Sequence, residues 1–182
     1  IAFACGDGVL AIKQENSVFT AQKIANPAEI TDGSRIGTLK GSEESNVMIG
    51  KAGADFFLVD LVNQNIALFE WQQEAGAVSV TDGFDGHNEH LLILDNDGHL
   101  NVYSAESDWQ FEMAIEVFEP LGNNAKPMII ASKAHEVIYI INGQEVTAVD
   151  LHDGEVTGHF DLDFVPGNAA WLGVAEEEEH DH

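Results

Sequence analysis

Two histidines, His90 and His135, stand at matching distances ahead of a glycine, eight residues before Gly98 and Gly143. Imidazole is the commonest metal-binding side chain and is largely neutral, hence free to coordinate, near pH 7. The segment leading to the first of them, DGFDGHNEH from Asp82 to His90, adds His87 three residues away, with Asp85 and Glu89 beside it. Histidines three apart in a glycine-bearing loop can close on one ion, and convergent imidazoles in an acidic surround suit Zn²⁺. Glu89 or Asp85 then serves as a further ligand, or as the acceptor that orients a histidine N–H. The plainer reading of the same stretch is a solvated loop with a histidine at the mouth of a strand. The terminal EEEEHDH, Glu176 to His182, is a solubilising acidic tail in its plain reading and, through His180 and His182, a weak chelator in the other. His99, His152 and His159 fall in turns or on the wet side of a strand and carry no weight as ligands.

Such groups converge only if the chain between them repeats. FACGDGVLAI (Phe3 to Ile12), LDNDGHLNV (Leu94 to Val102) and IINGQEVTAV (Ile140 to Val149) each read as a buried strand, a tight glycine turn and a second, alternating strand. Their glycines, Gly8, Gly98 and Gly143, are 90 and then 45 residues apart. FFLVDLVNQNIALF, Phe56 to Phe69, is the expected missing member, with its turn at Asn63 to Asn65. Third strands follow in SVFTAQKI, AVSVTDG, WQFEMAIEV and EVTGHFDLDF. A meander of three or four strands every ~45 residues is the blade of a β-propeller. The expected architecture is therefore an all-β half propeller of about four blades over residues 1–175, cut from a larger seven- or eight-bladed ring, followed by the tail 176–182. In it His90 and His135 open the first, innermost strands of adjacent blades and face one channel. A β-sandwich is the structural alternative, though sandwiches rarely repeat one hairpin at a fixed interval.

Composition narrows the function. Thirty-two acidic residues against 7 basic give a formal charge of −25, which repels nucleic acid and anionic lipid and attracts cations or basic partners. No apolar run approaches the ~18 residues of a membrane-spanning helix. The chain opens inside a strand, with no Met, basic leader or cleavage site, as a fragment of a longer protein would. Its one cysteine, Cys5, is either a buried inert thiol or half of a disulfide with a cysteine outside the fragment, the latter implying an oxidising compartment. There is no nucleophile elbow, phosphate-binding glycine loop or CxxC pair, so no enzyme is expected. DNDG and DLHDG lack the ligand spacing of a Ca²⁺ loop.

FACGDGVLAI, the RIGTL segment (Arg35 to Leu39), the repeated blades and the acidic, histidine-bearing terminus together resemble the AztD family of periplasmic zinc metallochaperones. The resemblance covers the whole chain, as about half of such a protein. It implies a propeller that binds Zn²⁺ and passes it to the solute-binding protein of a zinc ABC importer, completed by the remaining half of the same propeller, and it implies that Cys5 is half of a disulfide. The ligand set His87, His90 and His135 comes from the repeat alignment instead. A metal-independent interaction module and, further off, a Ca²⁺-dependent propeller hydrolase or lactonase are the competing readings.

Overall fold

The computed structural model describes residues 1–31 and 33–172, and within them every regular element is a β-strand. The strands form four antiparallel sheets, each a meander in chain order. The first sheet holds β1 (Ala2–Cys5), β2 (Gly8–Glu15) and β3 (Val18–Ala25); the second holds β4 (Thr38–Lys40), β5 (Val47–Ala52), β6 (Asp55–Asp60) and β7 (Asn65–Leu68). The third is built from β8 (Ser79–Phe84), β9 (His90–Asp95), β10 (His99–Ser104) and β11 (Gln110–Glu116), the fourth from β12 (Met128–Ala131), β13 (Val137–Asn142), β14 (Glu145–Asp150) and β15 (Glu155–Asp161).

The three hairpins read from the sequence are β1–β2, β9–β10 and β13–β14. The missing member is not Phe56 to Phe69 but the hairpin one step earlier, β5–β6, where Ala52 pairs with Asp55 around Gly53 and Ala54. Gly53 has φ +64° and Gly143 φ +65°, at the same turn position, where a left-handed backbone favours a residue without Cβ. With that correction the four hairpins recur at intervals of about 45 residues. AVSVTDG also moves: it forms β8, the first strand of the third sheet, while the strand that follows the β5–β6 hairpin in the second sheet is β7. Both AVSVTDG and NQNIALF alternate in the same way, so periodicity alone could not order them within a sheet.

The chain divides into two compact units, Ile1–Ala77 with Tyr103–Phe111, and Val78–Val102 with the chain from Glu112 onward. In the first, Val9 and Ile24 of the first sheet pack with Phe57, Val59 and Ile66 of the second. The turn Tyr103–Phe111 joins this unit through Trp109, whose indole Nε1 donates to the Val47 carbonyl at 2.7 Å, and through Asp108, which accepts from the Ser45 hydroxyl at 2.8 Å. Asp108 and Trp109 both take positive φ, 54° and 66°. This backbone costs free energy for a bulky side chain and is held in place by the burial of the indole.

In the second unit, Leu92, Leu94, Leu100 and Val102 of the third sheet meet Ile138, Ile140 and Val149 of the fourth. The first strands of these two sheets are neighbours as well: a Cβ on Gly83 of β8 would lie 3.2 Å from the Ile129 side chain of β12. Each fully buried aliphatic side chain contributes roughly 1.5–3 kcal/mol. Leu94, with no exposed surface, should therefore lose about 2–5 kcal/mol of stability on Leu94→Ala, seen as a lower urea midpoint at an unchanged slope. Val62→Ala, at a position 57% exposed, should stay within about 0.5 kcal/mol of the parent.

Candidate metal site

The link from β8 to β9 is organised by one carboxylate. Asp85 is buried, and its Oδ1 accepts the backbone N–H groups of Glu89 at 2.7 Å and His90 at 3.1 Å. Its own N–H donates to the His90 carbonyl at 3.1 Å, so the loop closes on itself. Gly86 is required beside it, because a Cβ there would lie 1.9 Å from the Ser132 carbonyl oxygen. The second oxygen, Oδ2, faces His90 Nδ1 at 3.3 Å, and His90 Nε2 faces Glu112 Oε2 of β11 at 3.4 Å. The imidazole thus stands between two carboxylates, one on each ring nitrogen.

This surround sets the charge of the group. The hydrogen bond that the ring donates to Asp85 raises the His90 pKa above its ordinary 6.5; burial works against the rise, and the negative charges of Asp85, Glu112 and Glu89 add to it. Burial on its own would raise the Asp85 carboxyl, but the His90 ring, the two backbone N–H groups and the imidazolium charge together hold it below 3.8.

The link from β12 to β13 is the counterpart and shows where the histidine alignment slips. Ser132 occupies the place of Asp85: its N–H donates to the Val137 carbonyl at 3.0 Å, and its hydroxyl accepts the N–H groups of Ala134 and His135, each at 3.1 Å. Val137, the first residue of β13, is therefore the structural equivalent of His90, and His135 corresponds to Asn88. The cause is turn length. The β9–β10 turn has three residues ending in Gly98, whereas the β13–β14 turn has two beginning with Gly143, so counting back from the glycines misaligns the blades by two. His90 also heads the second strand of its sheet, not the first.

Of the residues singled out by sequence, His90 and Asp85 meet, while His87, Glu89 and His135 are exposed. His180 and His182, with the rest of the tail 176–182, lie outside the described residues. Among the described residues no three His, Cys, Asp or Glu side chains form a group able to hold a metal ion. Asp85 and Glu112 approach opposite nitrogens of His90 and do not converge on one point. Glu112 was missed because it sits on a different strand of the sheet, 22 positions downstream, where only the strand register brings it near. Three further histidines also stand by carboxylates: His99 by Asp95 at 3.8 Å, His152 by Glu136 at 3.7 Å, and His159 by Glu145 at 3.4 Å. Cys5, half-buried, is a free thiol beside the Phe3 carbonyl.

Four antiparallel meanders in succession define a β-propeller, and solved structures place the chain in that class. Its fold is AztD-like: the apo form of AztD from Citrobacter koseri aligns over 93% of this chain and 46% of its own, with a TM-score of 0.69 and 20% identity. A second crystal structure of Citrobacter koseri AztD aligns over 97% of this chain and 48% of its own, at 0.70 and 19%. The β-propeller domain of Swd1 (Cps50) from Myceliophteria thermophila aligns over 90% of this chain and 56% of its own, at 0.53 and 11%. The chain thus spans about half the length of the AztD structures it matches. No protein-family model matches the sequence, and neither does any curated protein. Within the described residues, no helix is long and apolar enough to cross a membrane.

The His90 pairing has a pH signature. A histidine whose folded pKa is raised contributes stability fully below about pH 6.5, and this is lost as the pH rises through the folded value. Asp85 has the opposite window: its contribution is present above about pH 4 and is lost as the pH falls through its lowered folded value. NMR titration of the imidazole C–H signals should give His90 a higher pKa than the same signals report in a denatured control, and Asp85→Asn should bring it down.

Proposed function

We propose that this chain is part of a zinc-carrying propeller of the AztD kind, a periplasmic protein that holds Zn²⁺ and hands it to the solute-binding protein of a zinc ABC importer. The observation that supports this reading most is the spacing of His90 Nε2 and Glu112 Oε2, 3.4 Å apart. Two donors about 2.0–2.2 Å from a tetrahedral zinc ion stand about 3.4 Å from each other. Asp85 on the far nitrogen is the carboxylate that fixes tautomer and ring orientation in zinc–histidine sites. The AztD-like fold and the family resemblance in sequence add to it.

The mechanism follows from the donor set. The ion competes with a proton for His90 Nε2, so binding weakens as the pH falls through the His90 pKa. His90 and Glu112 fill two of four positions. The other two remain for water, for groups beyond this sequence, or for a recipient's ligands, and an incompletely caged ion passes on by ligand exchange. The charge of −25 concentrates cations and favours a basic docking face on the recipient. The role is that of a carrier, with no reacting bond. The same reading includes a disulfide from Cys5 to a cysteine outside this sequence.

The absence of a three-ligand group among the described residues favours a second reading, a metal-independent interaction module. Zinc titration against a competing chelator separates the two. On the first, His90→Ala should abolish binding at the site, Glu112→Gln should weaken it strongly, and Asp85→Asn should lower affinity about 10–100-fold. Zinc binding that all three variants leave unchanged, or none in the parent, would leave only the second.

A further inference from the structure

Asn142 is the one asparagine in the chain that is followed by glycine. It ends β13, and its backbone pairs with Glu145 of β14, so Gly143 and Gln144 form a two-residue turn. Gly143 takes φ +65°, the left-handed backbone that such tight hairpins favour. The glycine that makes the turn also leaves the peptide nitrogen after Asn142 unshielded, because any other residue would set a Cβ close beside it. There is room around it as well: a Cβ built on Gly143 meets no atom within 4 Å.

The side chain of Asn142 is equally unrestrained. It is half-buried and lines a cavity of about 520 Å³ between the β13–β14 turn and segment 116–122. Among the described residues no hydrogen bond holds its carboxamide. Other asparagines are tied down. Asn63 donates to Asp60 at 2.7 Å, Asn101 donates to Asp95 at 2.9 Å, and Asn96 Oδ1 accepts the Val78 N–H at 2.6 Å. The Asp-Gly pairs, such as Asp85–Gly86 and Asp97–Gly98, present an ionised carboxylate, which is a far poorer electrophile than an amide.

We propose that Asn142 is a site of spontaneous covalent modification, at which its carboxamide becomes a carboxylate through a cyclic imide. The backbone nitrogen of Gly143 attacks Asn142 Cγ. A new C–N bond closes a succinimide ring, the Cγ–Nδ2 bond breaks, and ammonia leaves with the proton that the peptide nitrogen gives up. Water then opens the ring. Attack at Cγ gives aspartate, and attack at the main-chain carbonyl gives isoaspartate, so one water is consumed for each ammonia released. Both products alter the turn. Aspartate adds a negative charge to a cavity already lined by Glu116, Glu119 and Glu145, where like charges repel. Isoaspartate lengthens the main chain by one carbon at the residue that pairs with Glu145 and opens the end of the β13–β14 ladder.

The test is peptide mapping by mass spectrometry on the whole folded chain, held at mildly alkaline pH and sampled over weeks. The expected result is a gain of about 1 Da that appears first in the peptide carrying residue 142. The product should divide between aspartate and isoaspartate, the latter recognised by the methyl group it takes up from isoaspartyl methyltransferase. Ion exchange of the intact chain should resolve a more acidic form that co-elutes with the Asn142→Asp variant. Asn142→Gln, whose extra methylene demands a larger ring, should show no gain at this position, with its fold confirmed by circular dichroism. A folded parent that keeps the amide while the urea-unfolded chain loses it would overturn the proposal, because the hairpin would then shield the bond. So would an amide at residue 142 that survives in both, or a gain spread evenly over the other asparagines.

Discussion

A β-sheet whose two faces are both apolar must be covered on both, and most of what is distinctive in this chain follows from that requirement. Strand side chains alternate, so a hairpin such as β13–β14 assigns Ile138, Ile140 and Val149 to one side and Tyr139, Ile141 and Val146 to the other. With both sets apolar, a single sheet cannot be stable in water, and stacking with further sheets is the natural solution. The local devices serve to keep the register that makes the stacking possible. Asp95 is one: it accepts the N–H groups of Asp97 and His99 and the side-chain amide of Asn101, locking the three-residue turn of the third sheet.

The same economy explains the Asp85 loop. A buried carboxylate is tolerated because backbone N–H groups and an imidazole satisfy its oxygens. In the fourth sheet Ser132 does the backbone part of this work with a neutral hydroxyl, and no histidine is drawn in. Comparing the two loops separates two roles: closing the loop needs only an acceptor, and the negative charge at Asp85 acts in addition on His90.

Three of the four hairpins were legible in the sequence because everything that makes them is local, namely alternation along the strand and a glycine-bearing turn, whereas the fourth, around Gly53, was expected one strand too late. The all-β propeller class followed from their recurrence. What could not be read was anything decided by a neighbour distant in sequence. AVSVTDG and NQNIALF look alike, yet one opens a sheet and the other closes one. The supposed equivalence of His90 and His135 failed over a difference of one turn residue and a shifted glycine, since a glycine marks a turn without saying which of its positions it fills. Glu112 alternates like its neighbours in QFEMAIE, and only the third sheet's lateral order carries it to His90. Half of the site was thus visible as DGFDGHNEH, and the other half was not.

The three tryptophans fall in different settings. Trp71 and Trp109 are 4% and 1% exposed and belong to the first unit, whereas Trp171, in the segment after β15, stacks on Tyr139 of the fourth sheet. The chain consequently carries its own optical labels. Emission from the two shielded indoles is sheltered from aqueous quenchers and follows the integrity of the first unit, while the third, stacked on a tyrosine, reports on the fourth sheet, so one ultraviolet measurement reads two regions of the molecule separately.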